Sequence, residues 1–425
     1  MSKRKVSLCA LFFTAVLLLF SFPVNVPAQD LTDNEELGKA IFFDEDLSIN
    51  GNQSCAVCHA PEVGWTGPAS DINAGGAVYE GSVLGRFGAR KPPSSAYATF
   101  SPVFGMEKKG LFVGGNFWDG RATGEKLGNP AADQAQGPFL NPAEQALPDS
   151  ACVVYLVCTA SYADLFEQVW GPESCDIDWP ENIEVTCNTE GETVNLSTED
   201  RATSEMAYDN IALSIAAYEG SSEVNAFSSK YDLTFENSKN KAKLSKEEQK
   251  GSALFWGKGK CANCHTFGGK NALFTDFTFD NLGIPKNPEN PVYNVDPDFI
   301  DLGLGGFLAT IDEYKDLAEE NEGKHKVPTL RNVDLRPDEN FVKAYGHNGY
   351  FKTLEGIVHF YNTRDVKPEC PGPYTEAQAL AAGCWPPPEV AENVNTEELG
   401  DLGLTPEEEA AIVAFMKALS DGYQP

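Results

Sequence analysis

Leu31-Thr-Asp-Asn-Glu-Glu-Leu-Gly-Lys-Ala-Ile-Phe-Phe43 and Leu244-Ser-Lys-Glu-Glu-Gln-Lys-Gly-Ser-Ala-Leu-Phe-Trp256 are two copies of one pattern. Leu31, Glu35, Gly38, Ala40 and Phe42 recur as Leu244, Glu248, Gly251, Ala253 and Phe255. Each copy opens on a hydroxyl followed three residues later by a glutamate, Thr32 to Glu35 and Ser245 to Glu248. At that spacing the hydroxyl accepts from the third backbone N–H and the carboxylate reaches back to the cap's own N–H, which marks a helix start. Each expected helix then leads into the same pentad, Cys55-Ala-Val-Cys58-His59 and Cys261-Ala-Asn-Cys264-His265. The chain therefore reads as a duplicated domain. Its seam falls near residues 221–243, a polar stretch rich in Ser, Asn and Lys. Segments 29–235 and 236–425 are the expected halves.

With 425 residues the chain is too long for one ordinary core, and two domains are expected. Lys3, Arg4 and Lys5 precede an apolar run from Leu8 to Phe22, and Val26-Pro27-Ala28 follows. A basic start, a short apolar run and a small-residue site read as a signal peptide over 1–28. The run is too short to span a membrane comfortably, so no stable membrane insertion is expected after cleavage. The expected location is periplasmic or an equivalent extracytoplasmic compartment. The net charge of −31 becomes −34 once Lys3, Arg4 and Lys5 leave. Such a surface repels nucleic acid and anionic lipid, and it suits a basic protein partner.

Two thiols at C-x-x-C spacing can each bond a haem vinyl group, and the adjacent histidine then reaches the iron. The rival readings are a redox disulfide or a split zinc site. Neither explains two copies, both ending in His and both following the same helix in an exported chain. Cys55, Cys58, His59, Cys261, Cys264 and His265 are thus assigned to two covalent haem c groups, with His59 and His265 as iron ligands. Eleven cysteines are present; Cys9 leaves with the leader, and six lie outside the pentads. In an oxidising compartment these six imply disulfides. Their short separations suggest Cys152–Cys158, Cys175–Cys187 and Cys370–Cys384.

Helical periodicity recurs over Met206–Tyr218, Leu354–Tyr361 and Leu404–Leu419, the last opening on Thr405-Pro406. Strand-like alternation is scarce, and Gly and Pro punctuate loops over 61–117 and 283–306. The expected fold is mostly α: two c-type cytochrome domains, each with one covalent haem, with long loops and disulfide-stapled insertions. Of five histidines, none lies between His59 and His265. Met106 and Met206 are the only methionines in that interval. The first haem therefore has no local histidine to close it, and an open iron suits a small oxidant.

The chain resembles the bacterial dihaem cytochrome c peroxidase family, including its MauG branch. The resemblance spans nearly the whole mature chain. It rests on the two pentads, on Phe117-Trp118-Asp119-Gly120-Arg121, and on the Gln134, Ala135, Gly137 and Pro138 of Gln134-Ala135-Gln136-Gly137-Pro138. Asn141-Pro142-Ala-Glu144 and Pro328-Thr329-Leu330-Arg331-Asn332, followed by His347-Asn348-Gly349, complete it. The resemblance implies that hydrogen peroxide reacts at the N-terminal haem and that a six-coordinate C-terminal haem stores or passes electrons. It implies that Trp118 bridges the haems and that Gln134, Pro138 and Glu144 form the distal side. It places Arg331 and His347 among the cofactor-binding residues, His347 in a loop near the haem edge.

On residues alone Glu144 has two equal readings. A carboxylate above an open iron can move the peroxide proton; Asn141-Pro142-Ala-Glu144 is also a good helix start. The resemblance tips it to catalysis. Departures are a short insert, 123–132, and Tyr97 where family calcium sites between the domains use an Asn side chain, which puts calcium in question. A distal histidine carried by many members is absent, which points to the MauG branch or to peroxidases that are active without prior reduction. Leu354, Ile357, Val358 and Tyr361 form one apolar helix face, with His359 on the opposite side. Met416, His359 and Tyr361 could each ligate the second iron, and the resemblance selects Tyr361, since the MauG branch carries Tyr there. The implied enzyme draws electrons from a redox protein or from residues of a partner protein, through a high-valent iron state. The alternative is a dihaem electron carrier without peroxide chemistry.

Overall fold

The computed structural model describes residues 30–107, 110–237 and 241–424. The expected leader, 1–28, lies outside them. The fold is helix-rich with few strands. Its principal helices are α1 (Asp33–Phe42), α2 (Pro130–Leu140), α3 (Ser150–Thr159), α4 (Ala163–Trp170), α5 (Thr198–Gly220), α6 (Lys246–Trp256), α7 (Leu354–Thr363) and α8 (Pro406–Lys417). Two short antiparallel ladders accompany them, β1 (Gly105–Met106) with β2 (Phe112–Val113) and β3 (Phe279–Asp280) with β4 (His325–Lys326). Among the described residues no helix is long and apolar enough to cross a membrane.

The repeat in sequence is a repeat in packing. Both capping boxes form, Thr32 with Glu35 and Ser245 with Glu248. The Thr405 cap forms a third with Glu408. Helix α1 crosses α5, and α6 crosses α8. At each crossing the shared glycine lets backbone meet backbone. A Cβ on Gly38 would stand 1.8 Å from the Ser214 carbonyl oxygen, and one on Gly251 1.8 Å from that of Ala411. Aromatic residues close both crossings, Tyr218 in the first and Phe415 in the second. One buried cluster gathers Leu37, Phe42, Trp65, Phe139, Ile211 and Tyr218. A second gathers Tyr231, Phe255, Phe274, Phe351, Phe360 and Phe415. Gly251→Ala should therefore force α6 and α8 apart. Overpacking of this kind costs about 1–3 kcal/mol, read as a lowered midpoint in denaturant unfolding; an unchanged midpoint would contradict the close crossing.

Two of the three expected disulfides are corrected. The pairs are Cys152–Cys187, Cys158–Cys175 and Cys370–Cys384. Cys152 and Cys158 share helix α3. Six residues along an α-helix rise about 9 Å, beyond the roughly 7 Å Cα separation that a disulfide spans. Each must reach outside α3, and the two bonds nest, with 158–175 inside 152–187.

Candidate active site

Cys55–Cys58 form a single helical turn after Ser54, and His59 follows. The His59 Nδ1–H faces the Trp65 carbonyl at 3.2 Å, which leaves Nε2 to the cavity. Burial pushes the imidazole down to about 4, so it stays neutral. The second pentad repeats this: His265 Nδ1–H donates to the Phe274 carbonyl at 2.9 Å, and burial again lowers its pKa. A histidine whose second nitrogen is held by a backbone carbonyl is the usual preparation of a metal ligand. While six cysteines pair, Cys55, Cys58, Cys261 and Cys264 form no disulfide. They border two cavities of about 440 and 220 Å³, one per pentad. Paired thiols, a neutral imidazole and an adjoining apolar-walled space fit a haem in each.

The first cavity carries the expected distal group. Gln134 and Pro138 lie four apart on α2 and both line it, as do Asn141 and Glu144. No helix starts at Asn141; it caps the end of α2. Its side-chain oxygen accepts from the Ala143 N–H at 3.0 Å, closing the turn that delivers Glu144. The capping explanation of Glu144 therefore falls. Its half-buried carboxyl is raised by desolvation, against the opposing charge of Arg121.

Trp118 borders both cavities. The loop that presents it is closed by a bridge between Asn116 and Ala122 and turns through a left-handed Phe117, φ +62°. The indole Nε1–H donates to the Lys91 carbonyl at 2.8 Å. The Lys326 N–H donates to the Trp118 carbonyl, also at 2.8 Å. Asp119 is held by Arg121 and Arg90, and Arg90 also grips Asp301 at 2.6 Å through two nitrogens. The indole is thus pinned from both sides in the wall between the cavities.

In the second cavity, Leu354, Ile357, Val358 and Tyr361 of α7 all face inward with Met416 of α8. His359 is engaged elsewhere, with Nδ1 3.0 Å from Glu409. Burial pushes the Tyr361 phenol up, with the pentad thiols Cys261 and Cys264 adding to the shift. Arg331 lines this cavity, yet its guanidinium is committed to Asp232, Nη2 to Oδ1 at 2.8 Å, and to the Ala272 carbonyl at 2.7 Å. His347 also lines it, its ring stacked 3.6 Å from that of His325. A calcium ion fits poorly near Tyr97, whose hydroxyl donates to Asp421 at 2.6 Å and accepts from the Phe227 N–H.

Ionisable groups in these walls that escaped the sequence reading include the buried Lys91, Lys343 and Glu219 and the half-buried Lys326. A signal existed for two of them. Lys91-Pro92-Pro93-Ser94 and Lys326-Val327-Pro328-Thr329 are a further echo of the duplication.

Residues 32–240 match the family model for di-haem cytochrome c peroxidase. The methylamine utilization protein MauG of Paracoccus denitrificans is 32% identical over 409 residues, covering 94% of this chain and 91% of that protein. Cytochrome c551 peroxidase of Nitrosomonas europaea is 26% identical over 363 residues, covering 84% and 82%. Among solved structures, the diheme peroxidase BthA from Burkholderia thailandensis superposes with a TM-score of 0.72 at 26% identity, covering 93% of this chain and 88% of that one.

Proposed function

This chain belongs to the di-haem cytochrome c peroxidase family, on its MauG-like side, and is a peroxidase-type oxidoreductase that uses two haems; from that premise we propose that it reduces hydrogen peroxide in its first cavity and draws the electrons through the second from a protein partner. The observation that carries this is Glu144, a carboxyl held over the cavity of His59 in a stretch without any other histidine. Cys55 and Cys58, and Cys261 and Cys264, would hold the two haems, which would supply the redox chemistry toward peroxide and the storage of electrons. His59 and His265 each offer a neutral Nε2 to an iron.

Glu144 is the group that takes the proton from one peroxide oxygen and returns it to the other. Its raised pKa suits a group that must hold a proton part of the time. Gln134 and Pro138 shape the space beside it, Gln134 as an amide donor and Pro138 as an apolar stop. Trp118 is the path for electrons between the cavities. Tyr361 would hold the second iron through its phenol oxygen, a donor that favours oxidised states. A tyrosine there favours the version in which residues of the partner protein are oxidised over one in which a small redox protein is the donor. The enzyme works after export and cleavage near Gln29.

Mass spectrometry of the mature protein should find two haem additions. The ferric protein should show one high-spin haem and one low-spin haem with an oxygen ligand. Two low-spin haems would make the chain an electron carrier. A thioether signature would transfer the ligand role to Met416, and a bis-histidine one to His359.

A further inference from the structure

The wall around Trp118 holds three ammonium groups drawn out of water, buried on Lys91 and Lys343 and half-buried on Lys326. Each is bonded to neutral oxygens. Lys91 Nζ donates to Thr66 Oγ1 at 2.9 Å and the Pro92 carbonyl at 2.8 Å. Lys343 Nζ donates to the carbonyls of Asn332 at 2.6 Å and Leu335 at 3.0 Å. Lys326 Nζ donates to Ser101 Oγ and the Gly115 carbonyl, with Asn116 Oδ1 at 3.5 Å. Among the described residues none of the three is paired with a carboxylate. The surrounding arginines are: Arg90 holds Asp119 and Asp301, Arg121 holds Asp119, and Arg331 holds Asp232.

The chain has 63 acidic residues against 32 basic ones, so anions are not in short supply. A buried ammonium without an anion loses its hydration for no return and tends to shed its proton instead. That tendency is visible here, with Lys91 and Lys326 both lowered to about 7 by burial. An anion supplied by something other than the polypeptide resolves it. Lys91 and Lys326 border both cavities, whereas Lys343 borders the second alone. Each haem carries two propionate carboxylates at one edge.

We propose that Lys91, Lys326 and Lys343 are the counter-ions of the haem propionates, so that both haems turn their carboxylate edges toward the wall that holds Trp118. This rests on the two-haem reading above. Two of the three lysines also brace the indole through their own backbone. Carboxylate pairing and the Trp118 path are then built from the same residues, and the indole sits among charges that cancel.

The test uses the haem-loaded protein. A cation beside a haem favours the reduced iron, so Lys343→Met should lower the midpoint potential of the second haem while leaving that of the first unmoved. A tenfold change in the reduction equilibrium, about 59 mV for one electron, is expected, and Lys343→Arg should restore it. Lys91→Met should shift both haems. Two haems retained with unchanged potentials in both variants would overturn the proposal, whereas a wild-type protein without two haems would overturn the reading beneath it. A measurement on the wild type covers variants that do not fold. With the propionates labelled biosynthetically from ¹³C-5-aminolaevulinate, redox-difference infrared spectra should place the labelled bands at the ionised carboxylate position. Bands of the protonated acid would exclude ammonium partners.

Discussion

Replacing Glu144 by glutamine should slow the reaction with hydrogen peroxide by about 10²–10⁴-fold, the usual contribution of a general acid–base group, while both haems stay in place. The amide keeps the shape and the hydrogen-bonding reach of the side chain but cannot accept and return a proton. Since Asn141 ends α2 and its own side chain closes the turn, Glu144 has no capping duty to lose. The thermal midpoint should therefore hold. The rate of the wild type should also follow an ionisation above the ordinary carboxylate range, because desolvation raises this carboxyl. Glutamine removes that inflection. Stopped-flow mixing of each protein with peroxide across pH gives both results. A normal rate with a lowered midpoint would return Glu144 to a structural role.

Trp118→Phe should leave the peroxide reaction at the first haem intact and slow oxidation of the second by more than an order of magnitude. Phenylalanine fills most of the space but is a much poorer electron relay than indole, and it has no N–H for the Lys91 carbonyl. An unpartnered buried acceptor costs about 1–3 kcal/mol, so some loss of stability accompanies the change and is measured separately. The informative readout is spectral: after peroxide, the first haem changes and the second lags. Simultaneous change in both would take Trp118 off the path.

The helices that precede the pentads were legible because their signals are local. A hydroxyl and a glutamate three residues apart close a capping box whatever lies beyond, and both boxes read from sequence formed, while the cap read at Thr405 turned out to be a third. The inward face of α7 was legible for the same reason, since four residues at helical spacing needed only something apolar to face. The disulfide partners were not, because proximity in sequence misleads once both cysteines lie on one helix. Glu144 was undecided because the same four residues describe a helix start and the turn after a helix end. What separates them is where α2 stops, a matter of Pro138, Asn141 and packing. The wall lysines were passed over for a different reason. A lysine in an acidic chain reads as a solvated charge, and only the fold reveals one that has left water.

Superposing the two glycine crossings sets Ser214 against Ala411 and Tyr218 against Phe415. The same register sets Ile215 against Ile412 and Glu219 against Met416, and each of these four borders the cavity of its own half. After duplication, then, the frame of crossing helices and one aliphatic contact were retained while the adjoining position diverged. In the second half it became a polarizable thioether; in the first it is a buried carboxyl, raised by desolvation to about 8 and so proton-bearing at neutral pH. The ancestral symmetry is broken at one address per copy, and it is broken in acidity: one half can hold a proton at that spot and the other cannot.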